Sequence, residues 1–175
     1  MKFKPDKNQA SVTPIGGFRS KPAPVKRQAK AKGMTTDELS PLVEPGEYLM
    51  AYVGRYTTYL HGQSPKLALK FRIVEPGDAF EVELERWYNC KKLIGKPGNN
   101  GGFVPPRHGE FLLEYTTLFP LALTRHTRLD RISFTPLKNT VITGRVDTVK
   151  RNSKQKKLPD ALQYSTIREL LKVGA

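Results

Sequence analysis

The chain has 175 residues, of which 30 are Lys or Arg and 16 are Asp or Glu, so its formal net charge is +14 at pH 7. An excess of this size attracts polyanions and releases their counterions whatever the fold, and nucleic acid is therefore the expected partner. No apolar run reaches the roughly 18 to 20 residues of a membrane-spanning helix, and the first residues lack the apolar core of a secretory signal. We expect a soluble, cytoplasmic protein without a membrane partner.

Residues with catalytic or metal-binding potential are few and scattered. Cys90 is the only cysteine, which excludes an internal disulfide and a cysteine-based zinc site. His61, His108 and His126 lack the spacing of metal ligands on a helix. The glycine-rich segment 95–102 lacks the residue order of a triphosphate-binding loop. We therefore predict no enzyme activity, no metal and no cofactor.

The N-terminal part of the chain is predicted to be a disordered basic arm and linker, residues 1–44. Within residues 1–33, nine Lys or Arg accompany a single acid, Asp6. Few apolar residues are present there to offset the entropy cost of ordering the chain. Such an arm either adds nonspecific affinity for nucleic acid or docks a protein partner. Residues 45–175 have the length of one domain, and we predict that they form a nucleic-acid-binding domain.

Three strands are predicted at the start of this domain. Residues 47–60 are dense in aromatic and β-branched side chains, with Gly54 as a natural bulge. The next run alternates the apolar residues Leu67, Leu69, Phe71 and Ile73 with the cations Lys66, Lys70 and Arg72. After a turn at 75–78, a third strand places Phe80, Val82, Leu84 and Arg86 on one face and Glu81, Glu83, Glu85 and Trp87 on the other.

The cationic stripe of the second strand has two explanations. It can bind phosphates, or it can form cross-strand ion pairs with the glutamates of the third strand, since the two strands are predicted to pair as a hairpin.

Further elements follow a glycine-rich loop predicted at 95–102. Residues 108–119 carry apolar side chains at the spacing of one helical face, and Pro120 ends that helix. A fourth strand is predicted at 139–149 and a short fifth one at 161–165. Thr166 and Glu169 form a candidate capping box for a final helix over 167–173.

The predicted fold is mainly β with one or two helices. Its order of strand, strand, strand, helix, strand, strand is that of the OB-fold, a five-stranded, partly open barrel. Such barrels bind oligonucleotides through the face of strands two and three and through the loops after strands one and four. The loop after strand four, residues 150–157, carries five cations in eight residues. Together with the cationic stripe of the second strand, basic residues therefore occupy two of these regions.

Single strands are bound by cations that follow the phosphates and by aromatic rings on which bases stack. The candidate phosphate-binding residues are Lys150, Arg151, Lys154, Lys156, Lys157, Lys66, Lys70, Arg72, Lys91, Lys92 and Lys96. The candidate stacking residues are Trp87, Tyr88, Tyr52, Tyr56 and Tyr59.

Four short segments carry a resemblance to a known class of proteins. They are Pro-Gly-Glu-Tyr at 45–48, the run 65–74, Glu-Arg-Trp-Tyr-Asn at 85–89 and Leu-Gln-Tyr-Ser at 162–165. Over about residues 45–165 the chain resembles single-stranded-DNA-binding proteins of phages and integrative elements. The resemblance implies an OB-like domain used in replication or recombination of a mobile element, with proteins of the same element as partners. The segment 172–175 lacks the acidic tip through which bacterial single-strand binders recruit partners.

The function expected from the sequence is single-stranded DNA binding with little sequence preference, and RNA fits the same pattern. Two alternatives stay open. The first is a protein-binding adaptor or inhibitor of a mobile element that docks through its basic surface. The second is a Mg²⁺-dependent nuclease that uses Glu81, Glu83 and Glu85.

Overall fold

The structure is a computed structural model, and it describes residues 41–174 of the chain. The prediction of disorder for residues 1–40 lies outside the described residues. The strands are β1 (Gly46–Leu60), β2 (Ser64–Ile73), β3 (Glu83–Asn89), β4 (Lys92–Ile94), β5 (Gly98–Asn99), β6 (Gly102–Val104), β7 (Val141–Val149) and β8 (Tyr164–Val173). The helices are α1 (Glu110–Leu118) and α2 (Thr135–Lys138), and a 3-10 turn spans Asp160–Leu162.

Five long strands form one antiparallel sheet in the order β3-β2-β1-β7-β8, and β5 pairs with β1 beside this path. A separate two-stranded sheet joins β4 and β6. The outermost strands, β3 and β8, approach each other, because the Thr166 hydroxyl donates to the Glu85 carbonyl oxygen at 2.8 Å. We call the gap between β3 and β8 the seam. The prediction of a mainly β fold with one or two helices is confirmed, since residues 41–174 form a largely antiparallel sheet and two helices.

The hairpin of β2 and β3 has the predicted alternation. The four apolar residues of β2 at 67, 69, 71 and 73 are at most 1 % exposed and form the centre of the core. β1 has the bulge expected near Gly54, since its register with β2 shifts between Tyr52 and Gly54. β3 begins later than predicted: Phe80 lies before the strand and is 52 % exposed. It therefore does not belong to the core face.

Helix α1 covers the core with the predicted face. Phe111, Leu112, Tyr115 and Leu118 are its buried residues. The ring of Phe111 lies 5.9 Å from that of Phe134, which comes from the turn before α2. Because α1 is only nine residues long, this apolar packing rather than intrinsic propensity stabilises it.

The C-terminal segment is a strand, and the predicted helix over 167–173 is wrong. Ile167 and Leu170, three residues apart, are both buried, which is the spacing that suggested a helix. In β8 the register shifts between the pairs Val146–Ile167 and Arg145–Glu169, so Arg168 is an extra, bulged residue. Residues three apart in a regular strand point to opposite faces, but the extra residue lets Ile167 and Leu170 both point into the core. The predicted fifth strand at 161–165 is therefore shifted, since β8 starts at Tyr164.

The glycine-rich segment 95–102 is more ordered than the loop that the sequence predicts. β4 and β6 pair across it, and β5 within it pairs with β1. The guanidinium of Arg55 donates to the Gly101 carbonyl oxygen at 2.7 Å and lies 4.5 Å from the ring centroid of Phe134. This cation therefore fixes the segment against β1 and the core.

A buried ion pair joins α1 to the sheet. Arg86 of β3 contacts the carboxylate of Glu114, and their side chains are 10 % and 11 % exposed. The hydroxyl of Tyr88 donates to the same carboxylate at 2.6 Å, as does the backbone N–H of Leu170 at 3.2 Å. The carboxylate thus bonds groups from both β3 and β8, and it satisfies a backbone donor next to a break in the β7–β8 register.

The residues directly before β1 pack on the body. Val43 is 6 % exposed and belongs to the core cluster. Its backbone N–H donates to the Ser165 hydroxyl at 2.8 Å, and the Ser165 backbone N–H donates to the Pro41 carbonyl oxygen at 3.0 Å. The segment 41–44, which the sequence assigns to the linker, thus contacts the start of β8.

Candidate nucleic-acid interface

The centre of the candidate interface is an aromatic pair on the outer face of β1, β2 and β3. Tyr56, Ala68 and Trp87 are direct neighbours in the register of the three strands. The rings of Tyr56 and Trp87 meet edge to face, with centroids 5.6 Å apart and planes at 87°. Trp87 is half-buried. Ala68, whose side chain is the smallest of the three, lies between them and has no exposed surface.

Tyr56 is held in place by its neighbours. Its hydroxyl donates to the Glu85 carboxylate at 2.9 Å, and the Lys70 ammonium lies 5.5 Å from its ring centroid. Burial, followed by the hydrogen bond to Glu85 and the charge of that carboxylate, raises the pKa of Tyr56 well above its usual value. The phenol therefore stays neutral at physiological pH, and its ring packs against Trp87.

The cationic stripe of β2 is largely neutralised across the hairpin. Arg72 pairs with Glu83 at 2.7 Å, and Lys70 pairs with Glu85 at 3.7 Å. The ion-pair explanation is confirmed for these two cations. Lys66 differs, because its ammonium bonds the side-chain oxygen of Asn89, which carries no charge. Only Lys66 of the three keeps its full charge available to a ligand.

A groove with a volume of about 640 Å³ lies along the seam beside this face. Trp87 and the two lysines of β2 line it on one side. Tyr164, 39 % exposed, and Arg168 of β8 line it on the other. Arg168 forms no ion pair within residues 41–174. The groove therefore combines two exposed or half-exposed aromatic rings with Lys66 and Arg168, two cations that have no acidic partner in the described chain. Glu83, Glu85 and Glu110 also line the groove, and each of these glutamates is paired with a cation.

The basic connector, residues 150–157, leaves from the groove and returns to it. Val149 and Tyr164, the paired residues at the ends of β7 and β8, both line the groove. The connector is a small ordered hairpin: Arg151 bridges to Lys157, and the Asn152 side-chain oxygen accepts the backbone N–H groups of Lys154 and Lys156 at 2.9 and 3.0 Å.

All five cations of the basic connector are exposed. Within the described part of the chain none of them forms an ion pair. Their charge is therefore available to phosphates beside the groove.

Three predicted stacking residues lie elsewhere. Tyr88 is 2 % exposed and bonded to Glu114, so its selection as a stacking residue is corrected: alternation along β3 turns its ring into the core. Tyr52 packs on Phe71 and Phe134 at 5.8 and 6.2 Å, and its ring is likewise engaged by the core. Tyr59 is 43 % exposed, but the register of β1 places it on the strand face opposite to Tyr56.

The remaining predicted cations lie beyond the end of β3. Lys91, Lys92 and Lys96 are exposed. Lys91 and Lys92 line a second cleft, whereas Lys96 lies in the turn between β4 and β5. These three do not line the groove.

Sequence reasoning missed Tyr164 and Arg168 as groove residues. The apolar spacing of the segment that contains Arg168 predicts a helix, so the sequence did not place Arg168 on a strand beside β3. The signal in the sequence that could have identified Tyr164 is an aromatic residue seven positions after the end of the basic connector.

The described residues hold no constellation for metal chemistry. Within residues 41–174 no group of three or more His, Cys, Asp or Glu side chains is arranged to hold a metal ion. Glu83 and Glu85 are paired with cations instead. Burial raises the pKa of the Cys90 thiol to about 11, which keeps it protonated at neutral pH. Over the same residues, no helix has the length and apolar character needed to cross a membrane.

Comparison with known proteins gave no relatives. No protein-family model matches the chain, and no curated protein and no solved structure matches it.

Proposed function

We propose that this protein binds single-stranded nucleic acid, with single-stranded DNA as the expected ligand, in the seam groove and along the basic connector. Bases stack on Trp87, with Tyr164 as a second ring on the opposite wall. Phosphates are bound by Lys66, Arg168 and the cations of the connector. Binding has little sequence preference, because stacking accepts any base and phosphate contacts carry no sequence information.

The strand order supports an OB-type barrel. In β3-β2-β1-β7-β8, the five long strands follow the order three, two, one, four, five, and a helix stands between the third and fourth strands. The hydrogen bond from Thr166 to Glu85 brings strands three and five together. This arrangement is the one expected of a partly open five-stranded barrel.

The observation that carries the proposal is the meeting of rings and unpaired cations in one groove. An adaptor that docks by charge alone needs cations but no partly exposed tryptophan beside them. Stacking is worth about 1–3 kcal/mol per base in proteins that bind single strands. A half-buried Trp87, held in place by its contact with Tyr56, is preorganised for stacking.

The role in replication or recombination of a mobile element, with partners from the same element, is the biological setting that we propose for this binding. It rests on the resemblance of the segments between residues 45 and 165.

The test uses Trp87 as its own reporter, since it is the only tryptophan of the chain. Purified protein is titrated with unlabelled oligothymidine of about 15 nucleotides, within the range of site sizes of OB-folds. Tryptophan quenching is followed at about 50 and 200 mM salt, between which phosphate-driven binding weakens strongly. We expect quenching at both salts, and tighter binding of the single strand than of a duplex of equal length in a parallel anisotropy assay.

Two variants separate stacking from charge in the anisotropy assay. Trp87→Ala is expected to weaken binding of the single strand by about 5- to 150-fold, the equivalent of 1–3 kcal/mol. Phe80→Ala is the matched control, because Phe80 is an exposed aromatic outside the groove, and it should leave the affinity unchanged. Equal binding of single strands and duplexes, together with no loss in Trp87→Ala, would overturn the proposal in favour of an adaptor.

A further inference from the structure

A second cleft, of about 400 Å³, opens on the side of the domain where β4 and β6 pair. Its walls are apolar and include Ile94, Val104 and Leu129, and its rim carries Lys91 and Lys92. The Lys91 backbone N–H donates to the Val104 carbonyl oxygen at 2.8 Å, which joins the residue before β4 to the end of β6 beside the cleft.

The charge around this cleft is strongly positive. We define the second cationic patch as Lys91, Lys92, Arg128 and Arg131. Asp130 is the acid that lines the cleft, and Arg128 binds both of its oxygens at 3.0 and 2.6 Å. That hydrogen bonding, with the charge of Arg131 contributing, holds the pKa of Asp130 below its usual value. Four cations against one acid leave the patch with a net charge of +3.

Three cations of the patch have no acidic partner among residues 41–174: Lys91, Lys92 and Arg131. All three are exposed. They resemble the cations of the basic connector in this respect. They differ from Lys70 and Arg72, which form ion pairs with the glutamates of β3.

The patch continues from the groove along the chain. Lys66, which lines the groove, bonds the side chain of Asn89 at the end of β3. The next residue, Cys90, donates its backbone N–H to the Pro65 carbonyl oxygen at 3.0 Å, and Lys91 follows directly. The first cation of the patch thus stands two residues beyond a side chain that contacts the groove wall.

We propose that the second cationic patch binds phosphates of the same single strand where it leaves the groove past Lys66 and Asn89. This inference rests on the proposed function of the groove and extends it. The strand occupies a path longer than the groove: its bases stack at Trp87, and its next phosphates lie along Lys91, Lys92 and Arg131. The apolar walls of the cleft, Ile94 and Leu129, contact sugars and bases of the exiting segment.

The experiment compares oligothymidines of two lengths, about 5 and about 20 nucleotides, with the full chain. In Lys91→Gln/Lys92→Gln we expect weaker binding of the long strand and a salt dependence, d log K/d log [salt], smaller by about 1.4, since each single-strand phosphate contact contributes about 0.7. The short strand fills the groove alone, so its dissociation constant and its quenching of Trp87 should stay unchanged. Lys138→Gln/Lys172→Gln is the matched control, because it removes two exposed cations that line neither site.

The outcomes separate the two proposals. If the short strand does not quench Trp87 in the unaltered protein, the proposed groove function fails, and this inference fails with it. If the short strand quenches but the patch variant binds both lengths normally, only the inference is overturned. An equal loss for both lengths, or an equal loss in the control variant, would also overturn it, because the patch would then act only through the net charge of the protein.

Discussion

Two basic surfaces of this protein look alike in the sequence and differ in the structure. The stripe on β2 and the basic connector both concentrate Lys and Arg. On β2, Arg72 and Lys70 stand opposite Glu83 and Glu85, and these two ion pairs carry no net charge. The basic connector has no acidic neighbour in the described chain that pairs with it. A count of cations therefore overstates the charge that the first surface can offer to a ligand, whereas for the second surface every cation counted is unpaired within the described chain.

The difference has a physical cause in the geometry of the two segments. A hairpin places side chains of neighbouring strands within about 5 Å of each other, so opposite charges at facing positions meet automatically. A connector that projects beyond the sheet has no facing strand. Its charges are left to solvent, and to any polyanion that approaches.

The largest expected effect comes from neutralising the basic connector. Replacing its five Lys and Arg residues with Gln should reduce the salt dependence of single-strand binding by up to about 3.5, at about 0.7 per phosphate contact, and weaken binding most at low salt. Anisotropy titrations from about 50 to 200 mM salt measure this slope. Thermal unfolding should be unchanged, because all five side chains are exposed.

A control variant separates charge from shape in the connector. Asn152→Ala keeps all five cations but removes the side-chain oxygen that accepts the N–H groups of Lys154 and Lys156. We expect its salt slope to match that of the unaltered protein. A slope as low as that of the variant with all five cations neutralised would mean that the ordered hairpin, rather than its charge, determines binding.

A smaller effect of opposite sign is expected on the hairpin of β2 and β3. Glu83→Gln/Glu85→Gln leaves Arg72 and Lys70 without acidic partners and makes this face resemble the basic connector. Single-strand binding should become tighter, and its salt slope should rise by about 1.4 if both freed cations reach phosphates. The hydroxyl of Tyr56 keeps an acceptor in the amide oxygen introduced at position 85, so the support of Trp87 is retained. Unchanged affinity would indicate that the strand does not run along this part of the face.

The smallest effect is expected when both ion pairs are removed together. The variant Lys70→Gln/Arg72→Gln/Glu83→Gln/Glu85→Gln keeps the net charge of the face, and its affinity for single strands should stay within about twofold of the unaltered protein, with the same salt slope. The same anisotropy titration applies. A loss comparable to that of the connector variant would show that the paired cations contact phosphates despite their glutamates.

The sequence by itself determined the local elements whose patterns are regular. The alternation of β2, the turn before β3, the bulge of β1, the helical face of α1 and the core of β7 were all predictable, because each depends on residues close together in the chain. The sequence also indicated both explanations of the β2 stripe, and it showed that residues 150–157 contain five cations and no acidic residue. The position of Trp87 beside the glutamates rather than the apolar residues of β3 followed from alternation alone.

Only the tertiary structure decided the rest. Bulges in β8 allow Ile167 and Leu170, three residues apart, to face the core from a strand. These bulges arise in the pairing with β7, which is separated from β8 in the sequence by the basic connector. The buried hydroxyl of Tyr88 finds its acceptor in Glu114 from α1, and the groove depends on the approach of β8 to β3. These features arise from contacts between distant segments, and local periodicity carries no information about which segments meet.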